Sequence, residues 1–467
     1  MNFQVLILWS DVLVWLLFAA LFGFAWLVSR SAPLLAAWRR VGESRPGMAA
    51  ATLLAAFALV GLLDSFHYRP QLPSAPGAEP VYAVEAFSLL DAAIMPLRTR
   101  LEKTYSEPLA TRLYAKEMME LPDGRRLRDY PRLRHGGAHL GADESAARSD
   151  WLIRIGKGLI AAVLLWGSVA ALITVSFART RRQPLADAWR TIWCQRGGFA
   201  WNAVLLTLAL LLAIFLPMAW LADGYHVLGT DKVGQDVFYQ VLKSVRTALI
   251  IGLVTTLVML PLAILLGIAA GYFRGWIDDV IQYLYTVLNS IPGVLLIAAA
   301  VLMMQVLIDT HPQWFSTAAE RADLRLLALC FILGVTSWTG LCRLLRGETL
   351  KLRELEYIQA ARAFGVSDLR IIIRHILPNL MHIVIIAVVM DFSGLVLAEA
   401  VLSYVGIGVD PTMTSFGTMI NNARLELGRE PVVWWSLAAA FTFMFVLVLA
   451  ANLFADAVRD AFDPRMA

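Results

Sequence analysis

The chain has 467 residues, of which 59% are hydrophobic and only 16% charged, with a formal net charge of +4. A soluble protein of this length is roughly a quarter charged, so the composition excludes one and specifies an all-α polytopic membrane protein. The basic residues flank apolar runs instead of forming a patch, which excludes nucleic acid as a partner and leaves the lipid bilayer as the surroundings.

The first apolar run, Val5–Val28, has no Lys or Arg before it, whereas Arg30, Arg39, Arg40 and Arg45 follow. A secretory signal carries its positive charge ahead of the apolar stretch, so a retained span with its N-terminus outside is expected. Met48–Leu63 is a second, short span. It leads to the longest hydrophilic segment, 64–150, with twelve Lys/Arg against thirteen Asp/Glu. A loop this long is exported regardless of charge. Pro70, Pro73, Pro76 and Pro80 read as an extended lead, Val84–Met119 as largely helical with breaks at Pro96 and Pro108, and Leu121–Asp150 as a Gly- and Arg-rich tail. His135 and His139 have an H-x-x-x-H spacing, but Gly136 and Gly137 disfavour the helix that would align them. The segment therefore reads as a small accessory lobe, not a metal site. Ile155–Phe177 returns inward to Arg179, Arg181, Arg182 and Arg190.

Phe199–Leu221 crosses outward. In the following His226–Asp236, Gly229 and Gly234 suit tight turns and Asp231 and Asp236 suit bonds to backbone amides; read alone, this is an ordinary loop. Thr247–Tyr272 goes inward, Arg274–Asp279 turns, and Val280–Ile308 goes outward through Asn289-Ser290-Ile291-Pro292. A proline in a span frees a carbonyl, often beside a cavity, which makes Asn289 and Pro292 pathway candidates. Leu326–Leu341 returns inward and Leu380–Leu402 goes out, carrying Asp391 and Glu399. Ionisable groups at that depth normally face a cavity or a partner. Eight residues set the two about 80° apart on a helix, so both can border one pathway. A Gly-rich external stretch runs to Glu430 before Val432–Leu453, the ninth span. Cys194, Cys330 and Cys342 have no metal-ligand or disulfide spacing and read as packing residues.

Between the runs 326–342 and 380–402 lies a charged island, 343–379. Within 343–374 it carries seven Lys/Arg against four acids, an excess that places it in the cytoplasm. Tyr357, Ala360, Ala361 and Phe364 recur at i, i+3, i+4, i+7 and so share one exposed face of a short helix, with Ile358, Gln359 and Arg362 pointing elsewhere. Gly365 ends that helix at least steric cost in the left-handed conformation. Ser367 caps a second helix, Asp368 occupies its first turn, and Pro378 breaks it before the next span. Two small side chains flanked by two rings let a partner's backbone approach closely.

This island resembles the EAA loop of the permease subunits of binding-protein-dependent ATP-binding-cassette importers, above all the peptide and nickel branch and its second-permease type. Gln359-Ala360-Ala361, Gly365 and Leu377-Pro378 stand at the motif positions, with Gln359 in place of the usual Glu. His226–Asp236 is similar to the HxLGTDxxGRD signature of the same branch, with Gln235 in place of Arg. Ala398–Val409 and the stretch from Asn452 to Arg465 are similar as well. The resemblance covers about 199–465 and implies no role for Asp391.

The apolar runs and flanking charges give two N-terminal spans over 1–63, an extracytoplasmic lobe over 64–150 and a third extra span and linker over 151–198, and the resemblance implies a six-span permease domain over 199–467. The three extra spans and the lobe are expected to be peripheral to the pathway. By resemblance the protein is a bacterial inner-membrane subunit forming half of a pathway for peptides or peptide-like substrates. Its partners would be a second permease, two cytoplasmic ATPase subunits and an extracytoplasmic substrate-binding protein. Glu356, Tyr357, Gln359, Ala360, Ala361, Arg362, Phe364 and Gly365 would couple it to the ATPases. No G-x-x-x-x-G-K-[ST] loop occurs, so the chain is not expected to be an enzyme; ATP and Mg would reside in the partner subunits, with no cofactor or metal of its own. The rival reading is a secondary transporter or channel working without ATPases, which calls for coupling charges at mid-bilayer and broken helices in repeated halves.

Overall fold

The structure, a computed structural model, describes residues 3–72, 81–120, 126–141, 146–195, 198–315 and 317–462. Among these, nine helices are long and apolar enough to cross a membrane, and they correspond one for one to the nine expected spans. By their contacts the residues form two compact units. The first is Met1–Leu6, Trp26–Thr247 and Thr414–Ala457; the second is Ile7–Ala25, Ala248–Met413 and Val458–Ala467.

Strand β1 (Phe3–Leu6) precedes α1 (Trp9–Arg30), a short α2 (Ala32–Glu43) and α3 (Arg45–Asp64). The Ser44 hydroxyl accepts from the Gly47 N–H at 3.2 Å and so caps α3. β2 (His67–Pro70) and β3 (Phe87–Ser88) complete an antiparallel sheet with β1, Phe3 opposite Pro70 and Tyr68 opposite Phe87. Two five-residue helices follow, α4 (Leu89–Ala93), started by a Ser88/Asp91 capping box, and α5 (Met95–Thr99). The chain then runs irregularly into the hairpin β4 (Glu117–Glu120) and β5 (Arg126–Asp129). Val84–Met119 is therefore not largely helical. Past Thr99 the buried residues are Glu102, Tyr105, Ser106 and Leu113, whose spacing makes no helical stripe, and Glu102 and Ser106 bond to distant partners instead. Pro73, Pro76 and Pro80 lie outside the described residues.

Still in the first unit, α6 (Ala147–Arg181) and α7 (Leu185–Trp193) precede α8 (Trp201–Ala222). Gly158, Ala162, Ala170, Thr174 and Ala178 form the buried stripe of α6. Without a hydrophobic driving force inside lipid, such small residues let helices associate by close packing. A Cβ built on Gly158 would lie 2.5 Å from Pro217 Cα, and the Trp166 indole donates to the Leu205 carbonyl at 2.9 Å. The next span, α9 (Val237–Phe273), contributes its first eleven residues to this unit and the rest to the second.

In the second unit, α10 (Trp276–Ser290) and α11 (Gly293–Thr310) are separate helices, so the expected single span over 280–308 is broken. Ile291 is extended (φ −91°, ψ 132°), as the residue before a proline must be, and Pro292 starts α11. After α12 (Ala318–Ser337) and α13 (Thr339–Arg353) come the short α14 (Glu356–Ala363) and α15 (Asp368–Ile371). A π-helical turn, Ile372–Ile376, joins α15 to α16 (Leu377–Val405), leaving the chain helical from Asp368 to Val405. Pro378 thus does not break it. Its ring would crowd the carbonyl four residues back in a regular ladder, and the π turn shifts that ladder immediately before it. Back in the first unit, the stretch expected to be Gly-rich and external contains α17 (Phe416–Glu426), capped by Ser415, before α18 (Trp435–Phe462), whose last residues from Val458 belong to the second.

Two apolar cores hold the second unit. One joins Met259 and Ile268 of α9 to Leu341 and Leu345 of α13, Ile358 of α14 and Leu380 of α16. The other joins Ile250 and Val254 to Leu326, Leu329, Leu333, Leu402 and also Val14 of α1. Ser10 adds a hydrogen bond to Asp323. The first half of α1 is therefore packed among core helices. Cys330 and Cys342 are buried, whereas Cys194 is exposed and so is not a packing residue.

Candidate functional site: the 343–379 segment and the 226–236 loop

The base of the first candidate site is α9 against α13. Gly267 and Gly271 stand four residues apart, and added Cβ atoms would lie 2.8 Å from the Cys342 carbonyl oxygen and 2.6 Å from Thr349 Cβ. This close approach lets polar residues at the helix ends reach one another. Arg346 grips Asp278 of α10 with two bonds of 2.5 and 2.7 Å and holds its carboxyl below the usual range. Arg353 donates to the Tyr272 carbonyl at 2.6 Å, and the Tyr272 hydroxyl donates to Asp368 at 2.6 Å.

On that base α14 stands with Ile358 inserted into the core and Phe364 87% exposed. Tyr357 is about half exposed and accepts from Asn379 at 3.2 Å; Ala360, Gln359, Arg362 and Glu356 are exposed. Gln359 donates to the Glu354 carbonyl at 3.1 Å. Ala361 departs from expectation. It is half-buried and packs on the same core as Ile358, because the helix is apolar on two sides and α9 and α13 supply the mate for one. The face left open is Tyr357, Ala360 and Phe364.

The helix ends as the glycine predicts. Gly365 has φ +77°, its N–H bonds the Arg362 carbonyl at 3.0 Å, and the Val366 N–H bonds the Ala361 carbonyl at 3.1 Å. These two bonds are the Schellman arrangement, and the small hydrophobic contact that accompanies it is Val366 and Ala361 on one core. Ser367 occupies the cap position of α15 without a side-chain capping bond. Asp368 lies in the first turn, as expected, and accepts from Tyr272.

The pathway candidates are not equivalent. Asn289 accepts from Thr339 at 3.1 Å, and Pro292 is exposed at the start of α11. Glu399 is 2% exposed and accepts from Ser403 one turn on, at 2.6 Å. Asp391 is half-buried at the middle of α16 and makes no hydrogen bond or ion pair among the described residues.

The 226–236 loop, in the first unit, is more than an ordinary loop. Gly229 and Gly234 take positive φ, Asp231 accepts from the Val233 and Gln235 N–H groups, and Asp236 accepts from those of Phe238 and Tyr239. His226, 3% exposed, bonds Asp236 at 2.7 Å and Glu102 of the lobe at 3.3 Å. Glu102 also accepts from the N–H groups of Arg134, His135 and Gly136 at 2.8, 2.8 and 3.1 Å. Burial raises the Glu102 carboxyl, but His226 and these donors outweigh it and hold it down to about 2. Burial lowers the His226 imidazole, but Asp236 and Glu102 outweigh it and raise it to about 9. Thr230 donates to the Thr104 carbonyl at 2.9 Å and accepts from the Ser106 N–H at 2.7 Å. The His135 N–H goes to Glu102 and the His139 ring bonds Asp150 at 2.7 Å.

Sequence reading passes over Glu102 and the Gly267/Gly271 pair. For Glu102 there is no local signal, since its histidine lies 124 residues away. For the glycines there is one, the G-x-x-x-G spacing.

The family model described as "Binding-protein-dependent transport system inner membrane component" matches residues 263–467. The glutathione transport system permease protein GsiD of Pectobacterium atrosepticum is 32% identical over 319 residues, 64% of this chain and 98% of that one. The oligopeptide transport system permease protein OppC of Mycobacterium bovis is 31% identical over 239 residues, 51% of this chain and 76% of its own. The dipeptide transport system permease protein DppC of Lactococcus lactis is 29% identical over 240 residues, 51% and 64%.

Proposed function

Because the chain belongs to the family of binding-protein-dependent transport system inner-membrane components, we propose that it forms half of a translocation pathway for peptides or peptide-like substrates in a bacterial inner membrane. It pairs with a second permease and couples to two cytoplasmic ATPase subunits, which hold ATP and Mg. An extracytoplasmic binding protein delivers the substrate. The chain performs no chemistry itself and binds no cofactor.

The observation that carries this reading is the geometry of α14. Its Ile358 and Ala361 are locked into the chain's own core, while Phe364, Ala360 and Tyr357 stand open beside a rigid Schellman turn. A helix fixed on one side and apolar on the other transmits force from whatever docks on it, and the Asp278–Arg346 and Tyr272–Asp368 bonds pass it to α10 and α9. Glu356, Gln359 and Arg362 rim the open face. Asn289, Pro292, Asp391 and Glu399 remain the residues proposed for the pathway side.

The test is copurification of ATPase subunits with the tagged chain, and uptake of a labelled peptide into membrane vesicles. Phe364→Ala removes an exposed ring of the kind that anchors interfaces, worth about 2 kcal/mol or more. It should cut ATPase retention and uptake at least tenfold while leaving expression and partner-permease pairing unchanged, and Ala360→Trp should do the same by crowding the docking face. Undiminished ATPase retention in both variants would make α14 a mere connector.

A further inference from the structure

Asp391 is the eleventh residue after Leu380 and the eleventh before Leu402, the ends of one apolar run. At 1.5 Å per residue it stands about 16 Å from either end. That is the middle of a hydrocarbon layer roughly 30 Å thick. A carboxylate there is costly and is retained where it meets a counter-charge or a cavity. Among the described residues Asp391 has neither a hydrogen-bond nor an ion-pair partner. Glu399, the other acid of this helix, is buried and bonded to Ser403.

The surroundings of Asp391 are open on one side, at Gly394. On α16 the exposed residues Met390, Gly394, Leu397 and Val401 follow helical spacing, while Val384, Leu395 and Leu402 are buried. Asp391 falls between the two faces. Ala387, Gly394 and Ala398 stand beside it at i−4, i+3 and i+7; Ala387 and Ala398 pack on the two apolar cores, while a Cβ added to Gly394 would meet nothing within 4 Å. The carboxylate therefore stands beside the open position at Gly394, at a depth where a charge facing lipid is costly.

The geometry points to Asp391 as a specificity-determining residue that receives the protonated amine of the substrate halfway across the membrane. This rests on the proposed peptide substrate class, whose members carry an ammonium group at the N-terminus. The chemistry selected is an amine cation with two or three N–H donors, and the carboxylate supplies its only charged acceptor at that depth on this helix.

The experiment uses the complete transporter in membrane vesicles, with a labelled tripeptide bearing a free N-terminus and its N-acetylated analogue as probes. In the unaltered protein the free amine should be imported faster. Asp391→Asn should lower its uptake about tenfold or more, the worth of one charge-assisted hydrogen bond, and leave the acetylated peptide unchanged, so that the preference disappears. Asp391→Glu should recover part of it. Loss of the partner permease on copurification would assign Asp391 to the interface between subunits and overturn the proposal, as would an equal fall for both peptides or no change in either. An unaltered transporter that imports neither peptide overturns the substrate class and this assignment with it; one that imports both, with Asp391→Asn unaltered, overturns this assignment alone.

Discussion

The lobe and the α14 turn are held by opposite means. In the lobe the centre is polar: Glu102, 1% exposed at its side chain, collects three backbone N–H groups and the His226 ring, which in turn holds Asp236. Every one of these groups finds its partner inside the chain. In α14 the centre is apolar, Ile358 and Ala361 against α9 and α13, and the residue with the largest unsatisfied surface is Phe364. A buried charge network is complete or it is strongly unstable, whereas an apolar helix with one open face is stable and still lacks a mate. The network of the lobe is completed within the chain, by His226; the open face of α14 is the one proposed for another protein.

The sharpest way to break this comparison is to take the acceptor out of the lobe. Glu102→Ala leaves three N–H groups without their acceptor and the His226 imidazole with Asp236 alone, and breaking a buried pair in this way costs about 3–5 kcal/mol. The lobe should become protease-sensitive at temperatures where the unaltered protein resists, while ATPase subunits still copurify. If the ATPases are lost together with the lobe, the two regions are not independent and the contrast drawn above fails.

A gentler probe is pH. His226 is raised from 6.5 to about 9, so its contribution is fully present below pH 6.5 and is lost as pH rises through 9. Glu102 is lowered from 4.5 to about 2, so its contribution is fully present above pH 4.5 and is lost as pH falls through 2. Protease resistance of the lobe should therefore be greatest between about pH 4.5 and 6.5, and fall from pH 7 to 9. His226→Gln should flatten the alkaline limb. An unaltered protein equally resistant at pH 6 and pH 9 would mean that the imidazole carries no charge worth protecting.

The same difference governs what could be read from the residues alone. The α14 turn is legible because its determinants lie within ten positions: an apolar period, then a glycine whose left-handed conformation the structure shows. Nine spans are legible for a similar reason, since each is a local excess of apolar residues. The face of α14 is only half legible. Tyr357, Ala360, Ala361 and Phe364 share one stripe by spacing, yet the packing of α9 and α13 decides that Ile358 and Ala361 turn inward. The lobe is scarcely legible, because Glu102 and His226, or Ser106 and Thr230, meet across 124 positions and no periodicity announces them. The break at Pro292 and the continuity at Pro378 show that one residue type ends a helix or is absorbed by a π turn according to what precedes it.

The smallest expected effect tests the turn itself. Gly365 has φ +77°, and a Cβ built there would meet no atom within 4 Å. Space is therefore not what excludes a side chain; the backbone conformation is. Alanine in the left-handed region costs about 1 kcal/mol, asparagine less because its side chain bonds locally, and a β-branched residue more. The turn sets the direction in which α15 leaves α14, and Val366 and Ala361 are held on the core by its two hydrogen bonds. A strained turn would loosen that hold and let the open face of α14 tilt. ATPase retention should fall in the order Gly365, Gly365→Asn, Gly365→Ala, Gly365→Val, with the alanine variant weakened by about fivefold, the equivalent of that 1 kcal/mol. Steric crowding would instead rank the variants by side-chain volume and place asparagine, larger than alanine, below it. The relative order of the Asn and Ala variants thus separates conformation from volume at a position where neither changes any contact of the folded chain.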